Sequence, residues 1–296
     1  MLFKNINNAN IQFIKNKNLF IAISAAFVIC SLALLFTKGL NLGVDFTGGT
    51  VLKVKFAEPV EVAKVRDALS TINQGSATIQ TFENGDIMLR FQGDTEELLT
   101  SVRQTLLQQV GKYEVRSVDK IGPVVGSELR NQAATALLLA LVGILIYIAI
   151  RFQFRFGAVA IIALAHDVIV MLGAYSLTGK EISTTFIAAI LTIAGYSINN
   201  SIVILDRIRE NWRQLRAKGI ALVVNESINM SLSRTLYTSL TTLFPVLTMY
   251  FFGGEVIGNF AFAFLIGIVA GTFSSICLVG SLLVLSYEKK MGTNKK

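Results

Sequence analysis

The sequence predicts a polytopic α-helical membrane protein with six transmembrane helices and one α+β domain between the first two helices. Of its 296 residues, 53% are hydrophobic and only 16% are charged, whereas soluble domains average about 25% charged residues. Apolar stretches near the length of a membrane-crossing helix, about 20 residues, recur along the chain. A single long segment, residues 37–130, has soluble character and shows the alternation of a sheet.

The apolar stretches define the predicted membrane helices. The first is too long for a signal-peptide core and is followed by no small-residue cleavage site, so we expect it to remain as an anchor. The last run is longer than one crossing, and we place its start near residue 259. The predicted helices are 19–36 and, within 131–286, about 133–150, 156–177, 182–205, 235–252 and 259–285.

The distribution of Lys and Arg predicts the orientation, because cytoplasmic segments of membrane proteins are enriched in basic residues. The N-terminus 1–18, the turn 151–155, the predicted loop 206–234 and the C-terminal tail (286–296, with 287–296 fully outside the last helix) carry 15 basic and 4 acidic residues. Residues 38–130 carry 11 basic and 12 acidic residues. Both termini are therefore predicted to be cytoplasmic and 37–130 extracytoplasmic. Topology explains the basic pI, so nucleic-acid binding is not expected.

The extracytoplasmic segment predicts the order β-α-β-β-α-β, which is the ferredoxin-like arrangement. Its signals are an alternating strand, a helix opened by Pro59, a hairpin around Asn84-Gly85, a helix capped by Asp94 and a closing strand. The predicted elements are 50–56, 59–72, 77–82, 86–92, 95–110 and 113–118.

Several classes of enzyme lack their residues here. Cys30 and Cys277 lie in separate apolar runs, and one histidine in the whole chain allows neither a Ser/His/Asp set in the outer domain nor a soft-metal site there. The Gly48-Gly49 pair is not followed by the Gly-Lys-Ser/Thr of a phosphate-binding loop, so it is interpreted as a turn. We expect no enzymatic activity, metal or cofactor. An intramembrane enzyme would need a nucleophile–base pair or a metal set, and the third and fourth spans contain no Glu.

An ordered set of motifs covers nearly the whole chain and resembles the SecD/SecF family of protein-export membrane proteins, in its SecF branch. The motifs are GVDFTGG at 43–49, IGPVVG at 121–126, HDV at 166–168, GYSINN at 195–200, DRIREN at 206–211 and SRT at 233–235. Their signature residues are Asp45, Phe46, Gly48, Gly49, Gly122, Pro123, Gly126, Gly195, Asp206 and Arg207.

The resemblance implies membership of the RND superfamily and a role in Sec-dependent export from the bacterial cytoplasmic membrane. It implies SecD as the partner that supplies a second six-helix half. It further implies contact with the SecYEG channel, accessory export factors and unfolded preprotein, and use of the proton motive force, with sodium as the alternative coupling ion. A small-molecule efflux subunit of the same superfamily is the alternative, although such chains usually contain two halves and larger outer domains.

The candidate coupling residues are polar groups at membrane depth. Asp167 lies mid-span, where a charge usually faces the bundle interior or water. Its neighbour His166 points about 100° away along a helix, so no direct pair is implied. The resemblance implies a transport site at Asn199 and Asn200 with Arg234 as its cation, but the family usually has Asp where Asn200 stands. The alternatives are that a carboxylate of the partner carries the proton, that Asn200 is an engineered substitution, that the coupling ion is different, or that this subunit has lost the step.

The segment from Asp206 to Lys218 is predicted to be a basic amphipathic helix at the membrane surface. A lipid-facing position is the favoured interpretation of its arginines, and a docking site for cytosolic partners is the alternative.

Overall fold

The computed structural model describes residues 11–75, 77–82, 85–91 and 93–293. The chain divides into two units. The helical unit comprises Met1–Asn41 and Leu137–Lys296, and the sheet unit comprises Leu42–Ala136.

Long helices make up the helical unit. The helix α5 begins in the sheet unit and continues into the helical one. Short 3₁₀ turns occupy Ile14–Asn16 and Arg216–Lys218, and the two-residue strands β1 and β6 occupy Asn41–Leu42 and Glu181–Ile182. The helices are α1 (Lys17–Thr37), α5 (Pro123–Arg151), α6 (Phe154–Thr178), α7 (Thr184–Leu215), α8 (Ile220–Phe252), α9 (Gly254–Phe273), a π-helix (Ser274–Leu278) and α10 (Val279–Thr293).

Within the described residues, five helical segments are long and apolar enough to cross a membrane, against the six predicted. The helix α8 is not among them, because serine, threonine and asparagine dilute its apolar residues. The pieces α9, π-helix and α10 form a single candidate span. The five spans are Ile14–Thr37, Val124–Arg151, Phe154–Thr178, Thr184–Leu215 and Ile257–Glu288.

The segment 206–234, predicted as a cytoplasmic loop that contains a helix from Asp206 to Lys218, is helical over most of its length, so only its second part departs from the prediction. The helix α7 continues to Leu215, and α8 begins at Ile220. The reason is an apolar stripe that runs through the basic stretch. Ile208 and Val223 are fully buried, so packing holds both helices beyond the apolar spans.

Small residues set the distance between α1 and α6. Gly173 of α6 lies against Ser31 of α1, and no larger residue would fit there, because a Cβ at Gly173 would lie 2.8 Å from the Cα of Ser31. A Cβ at Gly143 of α5, in contrast, would meet no atom within 4 Å. Gly173 therefore lies in a tight helix–helix contact of α6, whereas Gly143 of α5 has free space beside it.

Two asparagines of α8 hold the chain just before α1. Asn225 and Asn229 accept hydrogen bonds from the backbone N–H groups of Ile14 and Ile11, at 3.2 and 3.0 Å. Their amide Nδ2 groups both donate to the Ile11 carbonyl, at 3.1 and 2.9 Å. Buried backbone groups need such partners, and here side chains more than 200 residues away supply them.

The sheet unit contains four antiparallel strands in the order β3-β4-β2-β5. One face of β2 directs Leu52, Val54 and Phe56 into a core shared with α3 and α4. On the other face, Val51 and Met88 pack with Val44 of the short helix α2. The elements are α2 (Val44–Thr47), β2 (Gly49–Phe56), α3 (Val62–Ser70), β3 (Thr78–Thr81), β4 (Asp86–Phe91), α4 (Glu96–Thr105), a π-helix (Leu106–Val110) and β5 (Tyr113–Ile121).

Element ends in the sheet unit differ from those predicted. The helix α3 begins at Val62, three residues after Pro59. Thr95, and not Asp94, caps α4 by accepting a hydrogen bond from the Leu98 N–H at 3.4 Å. At the predicted hairpin turn, Asn84 lies outside the described residues, as does Gln92 at the predicted strand end.

Next to this cap, Lys120 donates to Glu96 at 2.6 Å. That hydrogen bond, together with the charge of Lys120, lowers the pKa of the Glu96 carboxyl. Burial raises the pKa of Tyr113, at the start of β5.

Candidate functional site: a buried polar cluster in the helical unit

Asp167 is the centre of a polar cluster within the helical unit. It lies on α6 and is fully buried. Its Oδ2 accepts hydrogen bonds from Ser197 of α7 and from Ser274 of the π-helix, the latter at 2.8 Å. Three helical segments therefore meet at one buried carboxylate.

His166 contacts Asp167 directly, although the sequence implied no such pair. The distance from His166 Nδ1 to Asp167 Oδ1 is 2.9 Å. Adjacent helical Cβ atoms point about 100° apart, but rotation about the side-chain bonds turns the ring edge toward the carboxylate. His166 is 5% exposed, and its Nε2 has no hydrogen-bond partner among the described residues. Nδ1 is thus engaged with Asp167, whereas no side chain or backbone group in the described ranges reaches the buried Nε2.

A second layer of hydroxyl groups extends the cluster. Ser201 and Ser275 are buried with their Oγ atoms 3.1 Å apart. Ser274 and Ser275 both come from the π-helix, a form that often occurs at functional sites. Close packing also contributes, since a Cβ at Gly271 would lie 3.1 Å from the Cβ of Ser197. Neither Ser274 nor Ser275 was predicted as a site residue; the available signal was a serine pair inside an otherwise apolar final span.

The predicted residues Asn199 and Asn200 lie on different faces of α7. Asn200 is 3% exposed, and its Nδ2 has no hydrogen-bond partner among the described residues. Asn199 is exposed, and so is Gly195 one turn earlier. The pair predicted as one site therefore contributes one group to the interior and one to the surface.

Arg234 of α8 is exposed. Its guanidinium forms no ion pair with any side chain that the structure describes. Two further polar contacts link α7, α8 and α9. The hydroxyl of Tyr196 on α7 donates to Ser239 Oγ on α8 at 3.0 Å, and Ser239 Oγ lies 2.7 Å from Thr272 Oγ1 on α9. The five predicted coupling residues thus divide between a buried group (His166, Asp167 and Asn200) and an exposed group (Asn199 and Arg234).

Among the signature residues, Gly126 lies against the backbone of Gly48 within the sheet unit. Gly48 and Gly49 have φ angles of 69° and 121°, which glycine adopts readily. A Cβ at Gly126 would lie 2.9 Å from the Gly48 backbone nitrogen, so only glycine fits at the start of α5. Asp45 and Phe46 lie in α2, and Phe46 is buried.

The remaining signature residues lie at the start of α5 and in the last third of α7. Gly122 and Pro123 precede and begin α5, and a Cβ at Gly122 would lie 3.4 Å from Asp94 Oδ2. Asp206 accepts two hydrogen bonds from Arg151, at 2.7 and 2.8 Å. Arg207 donates to Glu210 at 2.8 Å. Their contacts are structural, and no group of His, Cys, Asp and Glu suited to a metal occurs in the described part of the chain.

Comparison with known families covers most of the chain. Residues 102–290 match the family described as protein export membrane protein SecD/SecF, C-terminal, and residues 33–60 match the SecD/SecF GG motif. The chain belongs to the SecD/SecF family, in its SecF branch. The chain is 46% identical over 288 residues to the protein translocase subunit SecF of Calditerrivibrio nitroreducens, covering 94% of this chain and 95% of that protein. It is 38% identical to the subunit of the same name from Pseudomonas aeruginosa, with 95% and 92% covered. The resemblance drawn from the motifs is confirmed.

Solved structures agree with this assignment. The chain is similar to SecDF of Thermus thermophilus, titled a translocon-associated membrane protein, with a TM-score of 0.87 and 40% identity. It is similar to SecDF in its super-membrane-facing form with a TM-score of 0.72 and 40% identity. The alignments cover 94% and 96% of this chain, but only 39% and 40% of the SecDF chains. The chain therefore spans about two fifths of those longer proteins.

Proposed function

We propose that this chain is the SecF-type subunit of a protein-export complex in the bacterial cytoplasmic membrane and works with a separate SecD-like chain. Two facts support the assignment of the SecF-type and SecD-like parts to separate chains. The relatives that match over nearly their full length are named translocase subunit SecF, and the SecDF chains are more than twice as long as the matched part. The remaining portion would be supplied by the partner as a second helical half.

The observation that carries this proposal is that α7 and α8 each expose a polar residue. Asn199 and Arg234 are both exposed, yet they lie in or beside apolar helical segments. A charge facing lipid costs about 2.5–3.5 kcal/mol on insertion scales. A partner surface with polar or acidic groups removes this cost by covering these residues. The isolated chain is therefore incomplete on the side that carries Arg234.

We further propose that α8 crosses the membrane as the sixth span, although its composition places it outside the most apolar helices. Threonine hydroxyls in α8 donate to carbonyls one turn earlier, as in the bonds from Thr235 to Ser231, Thr238 to Arg234 and Thr248 to Phe244. Such internal bonds satisfy polar groups that lipid cannot. With α8 included, both termini lie on one side, which the basic residues indicate to be the cytoplasm.

The sheet unit is proposed to be a ferredoxin-like domain on the extracytoplasmic side. The strand order β3-β4-β2-β5 and the core shared between the sheet and the helices α3 and α4 support this assignment. In this position the domain would contact emerging preprotein, the SecYEG channel or the outer domains of SecD.

Proton coupling is proposed to involve the buried cluster around Asp167. A membrane potential of about 100 mV is worth roughly 2.3 kcal/mol per charge, enough to bias a two-state domain movement more than tenfold. Asp167 and His166 are the ionisable side chains of this buried cluster. The amide of Asn200, in contrast, neither gains nor loses a proton near neutral pH. Proton gain or loss at the pair would alter the hydrogen bonds that join α6, α7 and the π-helix. Sodium is the alternative ion.

The decisive experiment is site-directed cross-linking in membranes that contain the full chain and SecD. Asn199→Cys is placed in a chain whose own Cys30 and Cys277 are replaced by Ser and Ala. We expect a cross-link to SecD, because the proposed interface covers this position.

Leu139→Cys on α5 is the matched control, since Leu139 is 65% exposed and is expected to face lipid. It should give no SecD adduct. A cross-link at Leu139 equal to that at Asn199, or none at Asn199 while SecD co-purifies, contradicts the proposed interface.

A further inference from the structure

A basic cavity lies at the ends of α5 and α7, away from the Asp167 cluster. Its volume is about 470 Å³, and it is lined by Arg151, Asp206, Arg209, Glu210, Arg213 and Gln214. Arg151 is the last residue of the apolar span that α5 forms. The cavity therefore lies where a membrane helix reaches the level of the lipid headgroups.

Of the three arginines that line this cavity, only one forms an ion pair with a side chain that the structure describes. Arg151 is paired with Asp206 at 2.7 Å. Glu210 is paired with Arg207, which lies outside the cavity, at 2.8 Å. Both cavity carboxylates are thus already neutralised. Arg209 and Arg213 form no ion pair with the side chains that the structure describes, and both are exposed.

The spacing of these two arginines suits one shared anion. They are four residues apart on α7 and therefore project from the same face of the helix. The guanidinium group binds phosphate through two parallel hydrogen bonds. Apolar side chains next to Arg151 complete an amphipathic setting, because Ile150 is 83% exposed and Phe154 is 89% exposed.

We infer that this cavity binds the phosphate group of an anionic phospholipid, with Arg209 and Arg213 as its ligands. The phosphate would occupy the cavity, while the acyl chains would lie along the exposed apolar residues at the end of α5 and the start of α6. The apolar rim favours a lipid over a free phosphate ion, which gains nothing from Ile150 and Phe154. Cytoplasmic basic pockets between membrane helices are suited to such headgroups. This inference does not rest on the proposed export function.

The test uses the full chain reconstituted in phosphatidylcholine vesicles that contain a minority of phosphatidylglycerol. The only tryptophan, Trp212, lies between the two arginines in sequence and reports the local lipid. Its fluorescence quenching by brominated phosphatidylglycerol is compared with quenching by brominated phosphatidylcholine. We expect preferential quenching by the anionic lipid, and a fall of about fivefold in its relative association for each arginine removed, from about 1 kcal/mol per basic residue.

The variant Arg209→Gln with Arg213→Gln should abolish the preference, and Arg209→Gln alone should lower it. The control Lys15→Gln with Lys218→Gln removes the same charge from outside the cavity and should preserve the preference. Millimolar inorganic phosphate at constant ionic strength should leave wild-type quenching unchanged.

Three results would overturn the inference. Equal quenching by the two lipids in the wild-type chain excludes selective binding. Loss of the preference in the lysine control reduces the effect to general surface charge. Displacement of the lipid by inorganic phosphate identifies a site for a soluble anion. The single variant keeps the test decisive if the double variant does not reconstitute.

Discussion

The helices α5 and α6 follow each other in the chain, and both are long and apolar enough to cross a membrane, yet protein covers them to very different extents. The span in α5 is the more apolar of the two. Yet within its most apolar 18 residues only 6% are buried by protein, against 56% in the corresponding stretch of α6. The helix α1 resembles α5, with 11%. In water the most apolar helix would be the most buried. Here the order is reversed, because lipid solvates leucine and isoleucine as well as a protein interior does.

What brings α6 into the interior is therefore its small and polar residues. Ala160 and Ala163 are fully buried, and Gly173 allows contact with Ser31. Asp167 adds hydrogen bonds to two other segments. Close backbone approach and polar contacts drive helix association in membranes, and each can be removed separately to test the comparison.

The largest effect is expected from Asp167→Ala. The substitution leaves Ser197, Ser274 and His166 without their common partner inside the bundle, and we expect a loss of about 3 kcal/mol in unfolding free energy. Thermal unfolding in mild detergent, followed by Trp212 fluorescence, measures the change. Asp167→Asn retains an oxygen acceptor and should lose clearly less. If the alanine variant is as stable as the parent, polar contacts do not hold α6 in the bundle.

A smaller effect is expected from Gly173→Ala. The new methyl group would lie 2.8 Å from the Cα of Ser31, so α1 and α6 must separate, at a cost of about 2 kcal/mol. Gly143→Ala makes the same chemical change on α5, where nothing lies within 4 Å. That control should be neutral or slightly stabilising, since alanine favours helix over glycine. Equal destabilisation by both variants would remove the contrast between the two helices.

The smallest effect is expected from Ile148→Ala, which compares two faces of α5 itself. Ile148 is 1% exposed and packs in the main helical core, whereas Ile146 is 55% exposed. We expect Ile148→Ala to cost about 1.5 kcal/mol, below the range for soluble cores because lipid removes part of the transfer energy. Ile146→Ala should change the melting temperature little. Equal losses at both positions would show that α5 is covered by another surface.

Five of the six predicted spans correspond to helices in the described residues that are long and apolar enough to cross a membrane, because hydropathy is a property of each local stretch. The sequence did not predict which spans are covered by protein, because that depends on close contacts such as the one between Gly173 and Ser31, which join distant residues. The basic residues from 206 to 218 predicted a helix at the membrane surface, but not that it continues α7 or that α8 begins as early as Ile220. Ile208 and Val223 are core residues, and their partners are set by tertiary packing.

The same distinction applies to the candidate site. Asp167 stands out in sequence as a charge at membrane depth, which is a local signal. Its donor Ser274 comes from a segment 107 residues away, and its contact with His166 depends on side-chain rotation that helical periodicity does not specify. The roles of Asn200 and Arg234 remain predictions. Their separation into a buried and an exposed group is the tertiary information that the motifs did not contain.

The asparagine contacts to Ile11 have a consequence for biogenesis. Asn229 follows Ile11 by 218 positions, and ribosomes add about 5–20 residues per second. The first membrane helix would thus reach the bilayer on the order of ten seconds or more before the side chains that fasten its leading end exist. During that interval the nascent N-terminal segment must satisfy its amides with water or a chaperone, and its final anchorage is among the late events of assembly.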